Sequence, residues 1–236
     1  MGMSKSYRLF KANSFPEIDS EYILPAQIKL LADKEVPDTV IRRQNLPLSE
    51  GFESFYIVHH VLKQQIGLAK GVPFTEYLAE FHLWSFYRRS DGLLIVQGNK
   101  DAVADLFYAL NRRGHENFAI QSYTLDFDKL EAHIQRIKGS WFSFKSATLH
   151  AKGLLGAHVD IEPEYEEAKK LGTLTSIKLV HTFHGADISL WITRRAAVVI
   201  MQEVASIPLE IDIILDVKQQ LLDKGLEVVE RRGKAT

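Results

Sequence analysis

Residues Thr175–Gly225, TSIKLVHTFHGADISLWITRRAAVVIMQEVASIPLEIDIILDVKQQLLDKG, decide how this chain is read. Thr175–Phe183 and Asp187–Thr193 are two extended runs on either side of His184-Gly185, the pattern of a β-hairpin. Ala197–Met201 continues extended, Pro208 suits the first turn of a helix, and Gly225 stops that helix. Leu226–Val229 then reads as a last strand. A similar order occurs earlier, at Phe81–Gly114. Phe81–Arg88 and Leu93–Gln97 flank the tight turn Ser90-Asp91-Gly92. Asn99 caps a helix whose inner stripe is Ala102, Val103, Leu106, Phe107 and Leu110. Gly114 ends it, and Phe118–Thr124 follows as a strand. Leu83-Trp84 precedes Arg88-Arg89 in one copy, and Leu190-Trp191 precedes Arg194-Arg195 in the other.

This predicts an α+β fold of two hairpin–helix–strand units with mixed, mostly antiparallel sheets. The units are residues 1–117 and 118–236, with the boundary inside 112–126. One domain with a single mixed sheet under helices is the alternative.

Outside the two modules the signals are more local. Tyr7, Leu9 and Phe10 suggest an edge strand, and Thr39–Arg43 a short one. Pro25 opens a helix over Ala26–Lys34. Ser49 caps another, in which Phe52, Phe55, Tyr56, His59, Leu62 and Ile66 share one face until Gly71 and Pro73 close it. His59 then reads as a buried structural histidine. His60 points about 100° away on such a helix, so the pair does not converge on an ion. Asp126 or Asp128 caps a helix with Phe127, Leu130, Ile134 and Ile137 inward, ended by Gly139. Trp141–His150 alternates as a strand, Ala157–Ile161 reads as another, and Pro163 opens a helix that Gly172 closes.

Composition excludes more than it specifies. With 46% hydrophobic and 25% charged residues, the 236-residue chain is ordinary for a soluble globular protein. A net charge of -1 means that any nucleic-acid role rests on a local patch. The absence of cysteine removes disulfides, thiolate metal sites, iron–sulfur clusters and cysteine catalysis. No apolar run reaches the roughly 20 residues that span a bilayer, and Met1–Ser6 lacks the apolar core of a signal peptide. A cytoplasmic protein without a cofactor or membrane contact is the expectation. No glycine-rich phosphate loop and no Gly-x-Ser-x-Gly turn is present.

The most suggestive run is Ile134–Val159, with Arg136, Lys138, Lys145 and Lys152, no acid before Asp160, and Trp141, Phe142 and Phe144 between the cations. Cations pair with phosphates and aromatic rings stack on bases. The first reading is therefore a non-catalytic binding or adaptor protein that contacts RNA or DNA. Arg88, Arg89, Arg136, Lys138, Lys145, Lys152, Arg194 and Arg195 would hold phosphates, and Trp141 and Phe144 would stack. Arg112-Arg113 adds to the same surface if the modules align.

The second reading is a phosphoester hydrolase with His150, Lys152, His181, His184 and Asp187 gathered at one mouth. His150-Ala-Lys152 resembles half of the phospholipase D signature, in which the histidine attacks phosphorus and the lysine binds phosphate. The aspartate of that signature falls on Ala157, Asp160 comes three residues late, and there is no second copy. His181, His184 and Asp187 could form a two-histidine, one-carboxylate set only if the turn starts at His184; a turn histidine and a strand histidine is the simpler reading. The third reading is a structural subunit whose exposed Trp84 or Trp191 marks a protein partner or a second copy.

Overall fold

The computed structural model describes residues 4–26, 37–49, 51–69, 72–114, 116–145 and 150–229. Its strands are β1 (Lys5–Ser14), β2 (Glu21–Leu24), β3 (Thr39–Gln44), β4 (Phe52–Ala69), β5 (Val72–Arg88) and β6 (Leu93–Gln97). Helix α1 (Lys100–Arg113), β7 (Ala119–Leu125), α2 (Phe127–Glu131), β8 (Ile137–Ser143), β9 (Ala151–Leu155) and α3 (Pro163–Leu171) follow. The chain continues through β10 (Thr173–Phe183), β11 (Ala186–Thr193), β12 (Ala197–Ile200), α4 (Ile207–Gln220) and β13 (Leu226–Val228). The fold is α+β and mostly strand. Among the described residues, thirteen strands form one large sheet, all antiparallel, so the expectation of mixed sheets is corrected.

The chain divides into two compact units, Ala12–Ile120 and Met1–Lys11 with Gln121–Thr236. In the first, β2, β3, β4, β5 and β6 lie side by side in that order. The β4–β5 hairpin pairs from Phe52↔Arg88 to Ala69↔Val72, with a register shift between Gln64 and Gly67. The helix expected over residues 52–66 is therefore a strand. Phe55, Ile57 and His59 alternate into the core, and Leu83, Ser85 and Tyr87 of β5 do the same. Phe, Tyr, Ile and Val dominate this segment and favour a pleated, half-buried surface over a helix. Asn99 caps α1 as expected, accepting from the Ala102 amide, and Ala102, Val103, Leu106 and Leu110 are buried. Lys63 of β4 reaches Asp105 of α1 at 2.6 Å.

In the second unit the strand order is β1, β12, β11, β10, β8, β9, with β7 pairing β1 and β13. Tyr7, Leu9 and Phe10 lie in a strand with neighbours, not at an edge. One face of this sheet is apolar and is touched by helices. Phe142 meets Tyr165 of α3 edge-on at 5.4 Å, and Tyr7 meets Glu210 of α4. Leu179, Leu190, Ile192 and Val198 fill the same layer. Helix α2 stops at Glu131, short of the expected Gly139, because Ile137–Ser143 is drawn into pairing with β10. Gly139 is a position of close approach. A Cβ there would lie 2.8 Å from the Leu155 side chain and 3.3 Å from Lys178 Cβ. Residues Val159–Ile161 form a 3-10 turn in place of the expected strand, and β9 was not anticipated.

The order hairpin, strand, helix, strand occurs twice along the chain, as β4–β5–β6–α1–β7 and β10–β11–β12–α4–β13. Leu83 and Leu190 are buried in their strands, while Trp84 and Trp191 are half-buried. A positive φ closes the turn after each arginine pair, at Gly92 (63°) and at Ala196 (53°). The helix predicted over Ala26–Lys34 (beyond Ala26), the Gly71 stop, residues 146–149 of the predicted Trp141–His150 strand and the tail Arg231–Thr236 lie outside the described residues.

Candidate functional site

The three arginine pairs have local commitments. Arg88 forks onto Asp91, with Nε at 3.0 Å from Oδ1 and an Nη at 2.7 Å from Oδ2. Arg89 donates to Glu53 at 3.2 Å and to the carbonyls of Phe15 and Pro16. Arg112 donates to the Tyr108 hydroxyl, and Arg113 donates to the Pro25 carbonyl at 2.6 Å. Arg194 donates its Nε to the Leu174 carbonyl at 2.8 Å and lies over the Phe127 ring. Arg195 is exposed and has no carboxylate partner among the described residues.

The run around β8 and β9 is similarly dispersed. Arg136 and Lys145 are exposed on either side of β8. Lys138 is half-buried beside a register shift. Lys152 is paired opposite Phe142, so it shares the helix-covered side of the sheet. Phe144 packs against Gly172, where an added Cβ would meet its ring at 2.7 Å.

The hydrolase cluster does not assemble. His150 is exposed beside β9, and Lys152 is level with Leu174 of β10 through Phe142. His181 lies seven residues along the same strand, about 23 Å at the rise of an extended chain. His184 occupies the β10–β11 turn with φ 49°, its ring 4.2 Å from Phe183. Asp187 accepts from the Thr182 hydroxyl at 3.0 Å, on the face opposite His181. His181 instead meets Asp216 of α4 at 2.5 Å. Among the described residues, no group of three or more histidines and carboxylates is placed to hold a metal ion.

What the backbone register does bring together is the other face of the second unit. Ser6, Val199, Trp191, Lys178 and Gly139 stand in one cross-strand row. Arg8, Ala197, Ser176, Trp141 and Gly153 lie in the adjacent row on the same face. The two indoles meet over β10, ring centroids 4.1 Å apart and planes inclined by 64°. Small residues surround them: a Cβ on Gly153 would touch the Trp141 ring at 3.0 Å, so glycine there lets the indole lie flat along the sheet.

The two rows carry positive charge alone; Asp187, further along β11 on the same face, is engaged by the Thr182 hydroxyl. Lys178 has no ion pair among the described residues. Arg8 lies 5.2 Å from the Phe10 ring, and its Nε is buried without a hydrogen-bond partner. Burial, then the like charge of Arg195, lowers the pKa of Arg8, which remains a cation because arginine starts so high. Two guanidinium groups are thus close enough to repel each other, and no carboxylate stands in either row.

Of the predicted contact residues, Trp141 reaches this face and Arg195 stands near it, while Arg8, Lys178 and Trp191 were not among them. The alternation Ser176-Lys178 against Ile177-Leu179 carried a signal for Lys178. Nothing in the sequence placed β1 beside β12.

No protein-family model matches the chain, and no curated protein matches it.

Proposed function

We propose that this is a binding protein that takes single-stranded nucleic acid, without chemistry at that surface, on the sheet face of Trp141 and Trp191. The observation that supports the reading is the indole pair bordered by Lys178, Arg8 and Arg195, with no carboxylate in either cross-strand row. Unpaired bases stack on aromatic side chains of an open sheet, while lysine and arginine take the phosphates. A duplex hides its base faces and would gain only the charge contacts. A net charge of -1 on the whole chain restricts the attraction to this patch.

Anisotropy of a labelled oligonucleotide of about ten residues, with an equal-length duplex as competitor, tests this. The single strand is expected to bind better than the duplex and to weaken as salt rises from about 50 to about 200 mM. Trp191→Ala should weaken binding roughly 10- to 100-fold, the worth of one stacked base. Lys178→Glu should lower affinity on every sequence and flatten the salt slope by about one unit or more. No binding at low salt, or binding indifferent to salt and to Trp191→Ala, rejects the reading. Salt-independent capture of a protein in place of the oligonucleotide would favour the structural-subunit alternative.

A further inference from the structure

The helix-covered side of the second unit holds a pair of side chains that the binding reading does not use. His181, near the end of β10, has a side chain only 10% exposed, and its Nε2 lies 2.5 Å from Oδ2 of Asp216. The other carboxylate oxygen, Oδ1, accepts from the Gln220 amide at 2.6 Å. Asp216 is therefore held from two directions on α4. An aspartate that accepts from one imidazole nitrogen fixes the proton there and leaves the lone pair on the other. The other nitrogen, Nδ1, makes no hydrogen bond among the described residues. His181 is among the residues that line a cleft of about 230 Å³, together with His133, Gln135, Gln220, Leu179 and Leu221.

We propose that this cleft is an acid–base centre that hydrolyses small uncharged esters with water as the nucleophile. The step balances without a cofactor. Water oxygen bonds to the acyl carbon while one water proton passes to Nδ1 of His181. The tetrahedral intermediate then collapses, the ester C–O bond breaks, and the same proton leaves Nδ1 for the departing alkoxide. A carboxylic acid and an alcohol result. Asp216 acts as a positioning residue, holding the ring by its hydrogen bond at Nε2. His133 and Gln135 also line the cleft and are the groups assigned to donate to the carbonyl oxygen.

Size and charge set the substrate class. The volume is below the usual range for drug-sized ligands, which restricts the acyl and alcohol groups to short ones. No lysine or arginine lines the cleft, so a phosphoester would enter without a counter-charge.

Hydrolysis of 4-nitrophenyl acetate by the full chain is the test, with free imidazole at the concentration of the nine histidines as the reference. The wild type is expected to saturate and to exceed that reference. His181→Gln should lower kcat/KM by roughly 100-fold or more, the ordinary worth of a general base. Asp216→Asn should lower kcat by a similar factor, about 100-fold, with KM little changed. His184→Gln, in the exposed turn, should leave the rate unchanged. Nitrogen-15 NMR of the histidine rings gives a readout independent of any variant: the His181 proton belongs on Nε2. A wild-type rate no greater than the imidazole reference, an undiminished rate in folded His181→Gln, or a ring proton on Nδ1 overturns the proposal. None of these results bears on oligonucleotide binding, which occupies the opposite face.

Discussion

Replacing Glu210 with alanine is expected to lower the unfolding free energy by roughly 2–4 kcal/mol, the cost of removing the acceptor of a buried hydroxyl together with the void left behind. Glu210 is 1% exposed in the first turn of α4, where the helix dipole favours an anion. Its two oxygens are taken by groups from β1: Lys5 Nζ at 2.7 Å and the Tyr7 hydroxyl. Tyr7 is fully buried. Burial, then the hydrogen bond to Glu210, raises its phenol pKa far above the ordinary tyrosine value, so it stays a donor over the whole accessible pH range. Alanine at 210 removes the carboxylate that accepts from that hydroxyl and opens a void beneath the helix. Lys5 is the lesser loss, because its side chain is 41% exposed and water replaces its partner.

Two further variants separate these contributions. Glu210→Gln keeps an acceptor for Tyr7 and should cost clearly less, about 1–2 kcal/mol. Tyr7→Phe combined with Glu210→Leu removes donor and acceptor together, and should recover a large part of the single-variant loss. Urea denaturation of the four proteins measures all of this. An alanine variant within about 1 kcal/mol of wild type would show that β1 and α4 are not joined through this carboxylate.

The same contact illustrates what the sequence could and could not disclose. Local chemistry was legible. Asn99 and Asp126 cap their helices, Pro163 and Pro208 sit in first turns, and the runs around His184-Gly185 form the predicted hairpin. Each of those signals acts over a few residues. The errors came where a distant partner decides the state. Phe52–Ile66 carries apolar residues at helical spacing, but β5 runs beside it along its whole length and turns it into a strand. Gly139 reads as a helix stop, yet its lack of a side chain serves a crowded crossing of β8, β9 and β10.

The site divides in the same way. Trp141 stood out by composition, whereas Lys178 and Arg8 join it only through the register of β8, β10, β11, β12 and β1. The arginine pairs looked like a shared patch, but Asp91, Glu53 and nearby carbonyls already hold most of their donors. A count of cations shows neither fact, because pairing depends on which acids the turns bring close.

Acidification from about pH 6.5 to about pH 4 is expected to remove about 3 kcal/mol of stability through His59 alone. His59 is 2% exposed in β4. Its Nδ1 is 2.8 Å from the Thr39 hydroxyl, and its Nε2 is buried with no partner. Burial, then the positive charge of Arg113, lowers its pKa to about 4; Asp105 opposes the shift, while His60 and Lys63 add to it. Protons therefore bind the unfolded chain first as pH falls, since a free histidine titrates near 6.5. The stability contributed by the neutral ring is complete above that value and is lost as pH approaches 4. Carboxylates also titrate at the lower end, so the measurement is a difference: wild type against His59→Gln, by urea denaturation at neutral pH and near pH 4.5. Glutamine has no proton to gain and can still bond Thr39. The variant should be the less stable at neutral pH by about 1 kcal/mol, and should close or reverse that gap in acid. An unchanged gap at the two pH values would mean that His59 takes up its proton as readily in the folded protein as in the unfolded chain, which a sealed ring with an unpaired nitrogen could not do.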